Sequence, residues 1–294
     1  NRPRMYMMMT AVQCLGGVPL PLYQDAVASE MLFVLLDAEI RFIFVEDQEQ
    51  VDKVLERRAE LPKLRRVIVM EKKGARSYPQ DFVLTFDDLE QAGKDYVLSH
   101  PTLVDECLKK QTRDDIGLII YTSGSTGKPK GAKLSYNNMR AQGIALSDRI
   151  GLTAHSRHLS YLPLCHVAEQ MFTTMSPIYL GSEINFGESL RTVQEDLREI
   201  APNVFLGVPR IWEKLHSSIY IKIMVAGGLR RALFEKGYKA CEPFAEIPRA
   251  KRSLAQKLTF AFYYALIFRS LQNFIGLRNA KIALTGAAPI PAKI

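Results

Sequence analysis

Between Tyr121 and Gly131 the chain runs Tyr-Thr-Ser-Gly-Ser-Thr-Gly-Lys-Pro-Lys-Gly, which gathers four Ser/Thr hydroxyls, three glycines and two lysines into eleven residues. That composition suits a polyphosphate. Gly124, Gly127 and Gly131 let the backbone come close and turn its N–H groups inward, Thr122, Ser123, Ser125 and Thr126 add donors, and Lys128 and Lys130 balance negative charge. The hydroxyl of Thr122 or Thr126 can also reach a metal ion. An apolar run, Ile116-Gly117-Leu118-Ile119-Ile120, delivers the loop from a buried strand, and the strand end is where open α/β sheets bind ligands. A merely flexible, solvated loop would need neither that strand nor Pro129 between two lysines. The P-loop of ordinary NTPases does not fit, because Pro129 follows Gly127-Lys128 and Thr122, not glycine, stands five residues before Gly127.

The run resembles, essentially residue for residue, the Y/F-T-S-G-S/T-T-G-x-P-K-G signature of the adenylate-forming superfamily of acyl-CoA synthetases, luciferases and peptide-synthetase adenylation domains. The resemblance implies that Thr122, Ser123, Gly124, Ser125, Thr126, Gly127, Lys130 and Gly131 hold the β- and γ-phosphates of ATP and later the pyrophosphate, with Lys130 catalytic. Lys128 occupies the variable position. About 35 residues on, Tyr161-Leu162-Pro163-Leu164-Cys165-His166-Val167-Ala168-Glu169 resembles the family's LPLxHxxE segment, in which the His lies beside the carboxylate being activated. An imidazole there can donate a hydrogen bond that orients the nucleophile. A lone His after an apolar strand is more often a packed core residue, so the motif carries the catalytic and substrate-binding assignment of His166.

Two further stretches extend the resemblance. Phe205-Leu206-Gly207-Val208-Pro209-Arg210-Ile211-Trp212-Glu213-Lys214 looks like the FxGVPRxWEK run of long-chain members, which implies that Trp212 stands near the mouth of a fatty-acyl tunnel; a Trp that simply fills the core reads equally well. Thr285-Gly286-Ala287-Ala288-Pro289-Ile290-Pro291 resembles the SGAAPLP turn. It implies that Gly286, Ala287, Ala288 and Pro289 line the adenine pocket, where small side chains let the backbone approach a flat purine, and that Gly286 also borders the acyl pocket.

The elements that must position these residues follow from periodicity. Residues 5–15 read as a helix broken by Gly16-Gly17, 18–22 as strand-like, 28–37 as a helix, 41–45 as a strand, 48–60 as a helix and 65–70 as a strand, a series that predicts a parallel sheet covered by helices. A helix is expected at 86–96. The scheme restarts with a strand at 158–161, a helix at 168–180, a strand at 183–186, a helix at 192–200 and a strand at 203–207. Pro209 opens a further helix, a long helical region fills 229–274, and 281–285 forms a last strand. The expected fold is α/β: two helix-covered, largely parallel β-sheet subdomains, residues 1–155 with the phosphate loop and 156–294 with the His166 motif and the acyl and adenine elements. In the resemblance these make up the large N-terminal domain of an adenylate-forming enzyme.

The 294 residues, 24% charged and 47% hydrophobic, exclude a disordered chain. A net charge of +8 attracts anions, whether phosphorylated cofactors, acidic lipid or nucleic acid, and does not choose among them; with the motifs above no nucleic-acid partner is expected, and oligomeric state is not legible. Cys14, Cys107, Cys165 and Cys241 form no CxxC pair, which argues against a zinc site or a disulfide framework and for a reducing, cytoplasmic setting. No secretory signal opens the chain, and the apolar stretch 258–268 is too short to span a bilayer. Arg249, Lys251, Arg252 and Lys257 precede that stretch. We read it as a buried helix with a solvated basic start, the alternative being a helix lying on a membrane surface.

The resemblance covers most of the chain and implies activation of a long-chain fatty acid by ATP and Mg2+ through an acyl-adenylate, followed by transfer to coenzyme A. The main Mg2+ ligand, the ribose-binding Asp, the hinge and the small C-terminal domain are expected outside this chain, which alone would be inactive. A fatty acyl-AMP ligase is the nearest alternative, and a lone fragment could act as a non-catalytic nucleotide- or membrane-binding module. Amino-acid adenylation domains usually place an Asp near His166, and none stands at 165–169.

Overall fold

The computed structural model of the chain describes residues 1–122, 128–286 and 288–291, and the protein divides into two compact units. The first holds Asn1–Gln142 and Pro163–Gln170, the second Gly143–Leu162 and Met171–Ile294. The segment carrying His166, expected in the second subdomain, therefore packs with the first.

The first unit opens with α1 (Pro3–Cys14) and α2 (Ala28–Asp37). Residues 18–22, expected as a strand, form none, although the Pro19 carbonyl accepts from Ile119 N–H at 3.2 Å; two prolines within five residues remove the donors that a ladder needs. A parallel sheet follows in the order β1 (Phe42–Val45), β2 (Arg66–Val69), β3 (Val83–Thr85). The pairings Phe42↔Arg66 and Val67↔Val83 set its register. α3 (Gln48–Glu56) supplies the crossover that parallel strands require. Its N-terminus is capped by Asp47, which accepts from Gln50 N–H at 3.1 Å, and its Val51 and Val54, one turn apart, are completely buried in a core with Val67, Val69 and Val83. Burying each such side chain contributes roughly 1.5–3 kcal/mol before chain entropy is counted. A capping box between Thr85 and Asp88 starts α4 (Phe86–Ser99), which runs beyond the expected residue 96, and α5 (Leu103–Lys110) follows.

The phosphate-loop strand departs from the parallel scheme. β4 (Ile116–Thr122) pairs antiparallel with β5 (Lys130–Ser135), and β5 leads into α6 (Tyr136–Ile150). The loop thus joins the two arms of a hairpin.

In the second unit β6 (Arg157–Ser160) pairs in parallel with a later strand. The helix expected at 168–180 is broken into α7 (Val167–Glu169), which belongs to the first unit, a wider i→i+5 segment at Gln170–Met175, and α8 (Ser176–Leu180). Pro177 is the cause we assign, since it has no N–H for the Thr173 carbonyl and its ring crowds that group. β7 (Glu183–Phe186), α9 (Val193–Ile200), β8 (Val204–Gly207) and α10 (Pro209–Ala226) follow. A helical run of α11 (Gly228–Cys241), α12 (Leu254–Tyr263) and α13 (Arg269–Phe274) leads to β9 (Ile282–Thr285), which pairs in parallel with β8. Asn203 ties β6 to the start of β8: its Oδ1 accepts from Arg157 N–H at 2.7 Å and its Nδ2 donates to the His155 carbonyl at 2.9 Å. Leu159, Leu197, Phe205 and Leu215 fill the core beneath these strands. No helix among the described residues is long and apolar enough to cross a membrane.

Candidate functional site

The hairpin brings the described ends of the phosphate loop together. Thr122 and Lys130 are cross-strand partners at its mouth, and Tyr121 pairs with Gly131 one step in. Thr122, Lys128 and Lys130 are exposed. Among the described residues neither lysine has a carboxylate partner, so two ammonium groups and the Thr122 hydroxyl stand together at the hairpin mouth. Lys128 Nζ lies 6.0 Å from the Phe33 ring centroid on α2, at the outer limit of a cation–π contact. Ser123, Gly124, Ser125, Thr126, Gly127 and, in the later turn, Ala287 lie outside the described residues.

Behind the mouth the hairpin is anchored by long-range contacts. Gln13 of α1 donates to the Gly117 carbonyl at 2.7 Å. The Tyr121 hydroxyl donates to Asp37 at the end of α2, and burial first, then the Asp37 carboxylate, pushes this phenol up to about 12. The Tyr121 ring also covers Gly131, where a Cβ would sit 3.1 Å from it. Asp37 thus braces the hairpin from 84 residues away, and no local sequence signal could have found it.

His166 is exposed, not a packed core residue. Its N–H donates to the Pro163 carbonyl at 2.9 Å, and its own carbonyl accepts from Glu169 N–H at 3.1 Å. Ala168 N–H donates to Nδ1 at 3.2 Å. A ring nitrogen that accepts carries no proton, so neutral His166 holds its proton on Nε2 and presents it as a donor. The turn is clamped from beneath by Gln170, fully buried, whose Nε2 donates to the Leu164 carbonyl at 2.6 Å. Glu169 is buried too and accepts from Asn1 Nδ2 at 3.0 Å. Burial pushes the neighbouring Cys165 thiol up, which leaves a Cys165–His166 nucleophile pair without its thiolate.

In the second unit the register Gly207↔Thr285 aligns the ends of β8 and β9, so the segments starting at Val208 and Gly286 leave the sheet side by side. Trp212 is partly buried there. Its Nε1 donates to the Leu284 carbonyl at 3.2 Å, and its ring meets Phe205 edge-to-face at 5.4 Å. A Cβ on Gly207 would lie 2.5 Å from Trp212 Nε1, so the close seat of the indole needs glycine. The Tyr161 hydroxyl, which opens the His motif, donates to the Leu206 carbonyl at 2.8 Å. A Cβ added at Gly286 would meet no described residue within 4 Å, and Ala288 and Pro289 are exposed.

A cavity of about 830 Å3 in the first unit is lined by Met5, Met9, Leu22, Met31, Leu35 and Ile43 among others. Its wall also carries charged residues, Arg2, Glu39 and Glu46 among them, and none of the predicted site residues borders it.

The first unit thus carries the two lysines and Thr122 at the hairpin mouth together with His166 as an Nε2 donor, and the second carries paired strand ends that lead into Val208 and Gly286. The family described as AMP-binding enzyme matches residues 1–294, and the chain belongs to it. Among curated proteins it is 29% identical over 291 residues to the long-chain-fatty-acid–CoA ligase ACSBG2 of Homo sapiens, covering 94% of this chain and 41% of that protein. It is 25% identical to the peroxisomal long chain acyl-CoA synthetase 6 of Arabidopsis thaliana, over all of this chain and 40% of that one. The chain thus spans about two-fifths of the length of these relatives. Among solved structures, the A-PCP didomain of carboxylic acid reductase from Segniliparus rugosus, in complex with AMP, superposes with a TM-score of 0.65 at 19% identity, covering 100% of this chain and 39% of that one. The anthranilate CoA ligase AuaEII, in complex with anthranoyl-AMP, gives 0.54 at 20% identity over 68% of this chain and 37% of that one. These two likenesses establish the fold.

Proposed function

We propose that the whole protein activates a long-chain fatty acid with ATP and passes the acyl group to coenzyme A. The observation that carries this reading is the hairpin mouth, where Thr122 faces Lys130 with Lys128 beside it and neither ammonium is committed to a carboxylate among the described residues. The resemblance of 205–214 to the run of long-chain members, and the ligases among the relatives, support the fatty-acyl substrate.

In the first half-reaction a carboxylate oxygen attacks the α-phosphorus, the bond to the bridging oxygen breaks, and pyrophosphate leaves with the electron pair. This chain contributes positioning and charge. Lys130, Lys128 and Thr122 hold the leaving phosphates, and the Nε2–H of His166 donates to the carboxylate as its charge moves into the new anhydride. In the second half-reaction the coenzyme A sulfur attacks the acyl carbon and AMP departs. No protein nucleophile enters either step. Mg2+, when bound, neutralises phosphate charge. Among the described residues no three His, Cys, Asp or Glu side chains stand together to hold it, so here it would draw on the phosphates and the Thr122 hydroxyl. Gly286, Ala288 and Pro289 are proposed for the adenine, and Trp212 for the acyl entrance.

Lys130→Ala in the full-length protein is expected to abolish fatty-acid-dependent ATP–pyrophosphate exchange while leaving the thermal midpoint in place. Normal exchange would overturn the assignment. Measuring AMP release with and without coenzyme A, across acyl lengths, separates the ligase from an acyl-AMP ligase and from a non-catalytic nucleotide binder.

A further inference from the structure

The helical run of the second unit carries an apolar surface that the reaction does not use. α12 and the wider i→i+5 turn after it, Tyr264–Phe268, are held to the protein along one side. There Tyr263 and Phe268 close over Gly237 of α11, Ile267 and Leu271 are buried, and the Tyr264 hydroxyl donates to Gln272 at 2.8 Å. On the opposite side the described residues leave the helix uncovered. Leu254, Leu258, Phe262 and Leu266 are 74%, 62%, 58% and 48% exposed, far more than ordinary for side chains of this size. Ala255, Ala261 and Ala265, also exposed, fill the positions between them. Steps of four residues drift slowly round an ideal helix, and the wider turn at 264–268 counters that drift. The result is one continuous stripe without a polar side chain, on a helix fixed from behind and started by a capping box at Ser253 and Gln256.

Charge indicates the partner. From Ile247 to the end the sequence has no Asp or Glu and eight Lys or Arg. Arg249 and Lys251 are exposed before the stripe begins, Lys257 within the first turn of α12, and Arg269 beyond the far end of the stripe. Arg252 is not among them, since its guanidinium is spent on the carbonyls of Ile247 and Ala245. An apolar stripe with cationic ends fits the interface of a bilayer with anionic headgroups, the apolar side chains entering the acyl boundary and the cations lying at the phosphates. We propose that the α12 face, from Leu254 to Leu266, docks the protein on an anionic lipid surface. This goes beyond the reading of the site and stands without it, because neither ATP nor catalysis enters the argument.

The test is co-sedimentation of the full-length protein, without nucleotide, with vesicles of phosphatidylcholine mixed with phosphatidylserine, beside vesicles of phosphatidylcholine alone. The protein is expected to pellet with the mixed vesicles and to release as salt is raised. The pair Leu258→Glu and Phe262→Glu should weaken partitioning about tenfold or more, and the pair Lys251→Glu and Lys257→Glu should weaken it severalfold on the anionic vesicles only. These side chains face solvent among the described residues, so the circular dichroism and thermal midpoint of the variants should match the parent; a lowered midpoint would assign the face to a part of the protein beyond this chain and overturn the proposal. In Phe262→Trp, emission should shift to the blue on adding mixed vesicles. Absence of vesicle binding by the parent overturns the proposal, as does equal binding by the Glu variants. So does a concentration-dependent dimer that the Glu variants abolish without any lipid binding, which would assign the face to a second copy. Since ATP–pyrophosphate exchange is measured separately, loss of one result leaves the other standing.

Discussion

Tyr121 illustrates how a motif residue acquires a role that its motif does not state. The family pattern accepts Tyr or Phe at this position, yet here the hydroxyl binds Asp37 and the ring lies over Gly131. Tyr121→Phe keeps the ring and loses a hydrogen bond worth about 1 kcal/mol. In the full-length enzyme it should raise KM for ATP severalfold with KM for the fatty acid unchanged; a shift in the fatty-acid KM instead would contradict the brace. Gly207→Ala is expected to cost about 1–3 kcal/mol in denaturant unfolding, because the added methyl must push the Trp212 ring out of its seat. Residue types and spacings single out Lys130, His166 and Trp212 as candidates, since each motif is local. The tautomer of His166 and the partners of Trp212 were not legible, because they depend on a backbone donor within a particular turn and on a carbonyl 72 residues away.

Elements were legible where one periodicity dominated and failed where packing decided. α2 and β7 match their expected bounds. β5 went unrecognised because Lys-Gly-Ala-Lys-Leu-Ser has little apolar alternation, and cross-strand pairing with β4, not propensity, makes it a strand. The stretch 258–268 was read as a buried helix, and the structure corrects this: an apolar run does not reveal which of its sides finds a partner, and only one does. β6 carries a different consequence. His158 is 2% exposed, its Nε2 has no partner among the described residues, and burial lowers its pKa from 6.5 to about 4. The folded state thus resists a proton that the unfolded chain accepts. Its contribution to stability is complete above pH 6.5 and is lost as the pH falls toward 4, amounting to as much as about 3 kcal/mol. His158→Leu should flatten the decline of the thermal midpoint across that window; an unchanged decline would place the acid sensitivity elsewhere.

At the scale of the whole molecule, the α/β architecture followed from alternating strand and helix patterns, and the family followed from one eleven-residue loop. The division into units did not, because Pro163–Gln170 packs with the first unit although the chain on either side of it belongs to the second. A sequence read from end to end has no sign for such an excursion, which places His166 in the same unit as the phosphate hairpin. The account rests on that hairpin gripping a triphosphate. A crystal structure of the full-length protein with a non-hydrolysable ATP analogue tests it most directly. The β- and γ-phosphates are expected between Thr122 and Lys130, within hydrogen-bonding reach of both. A nucleotide bound elsewhere with this turn empty, or no nucleotide bound at all, would contradict it.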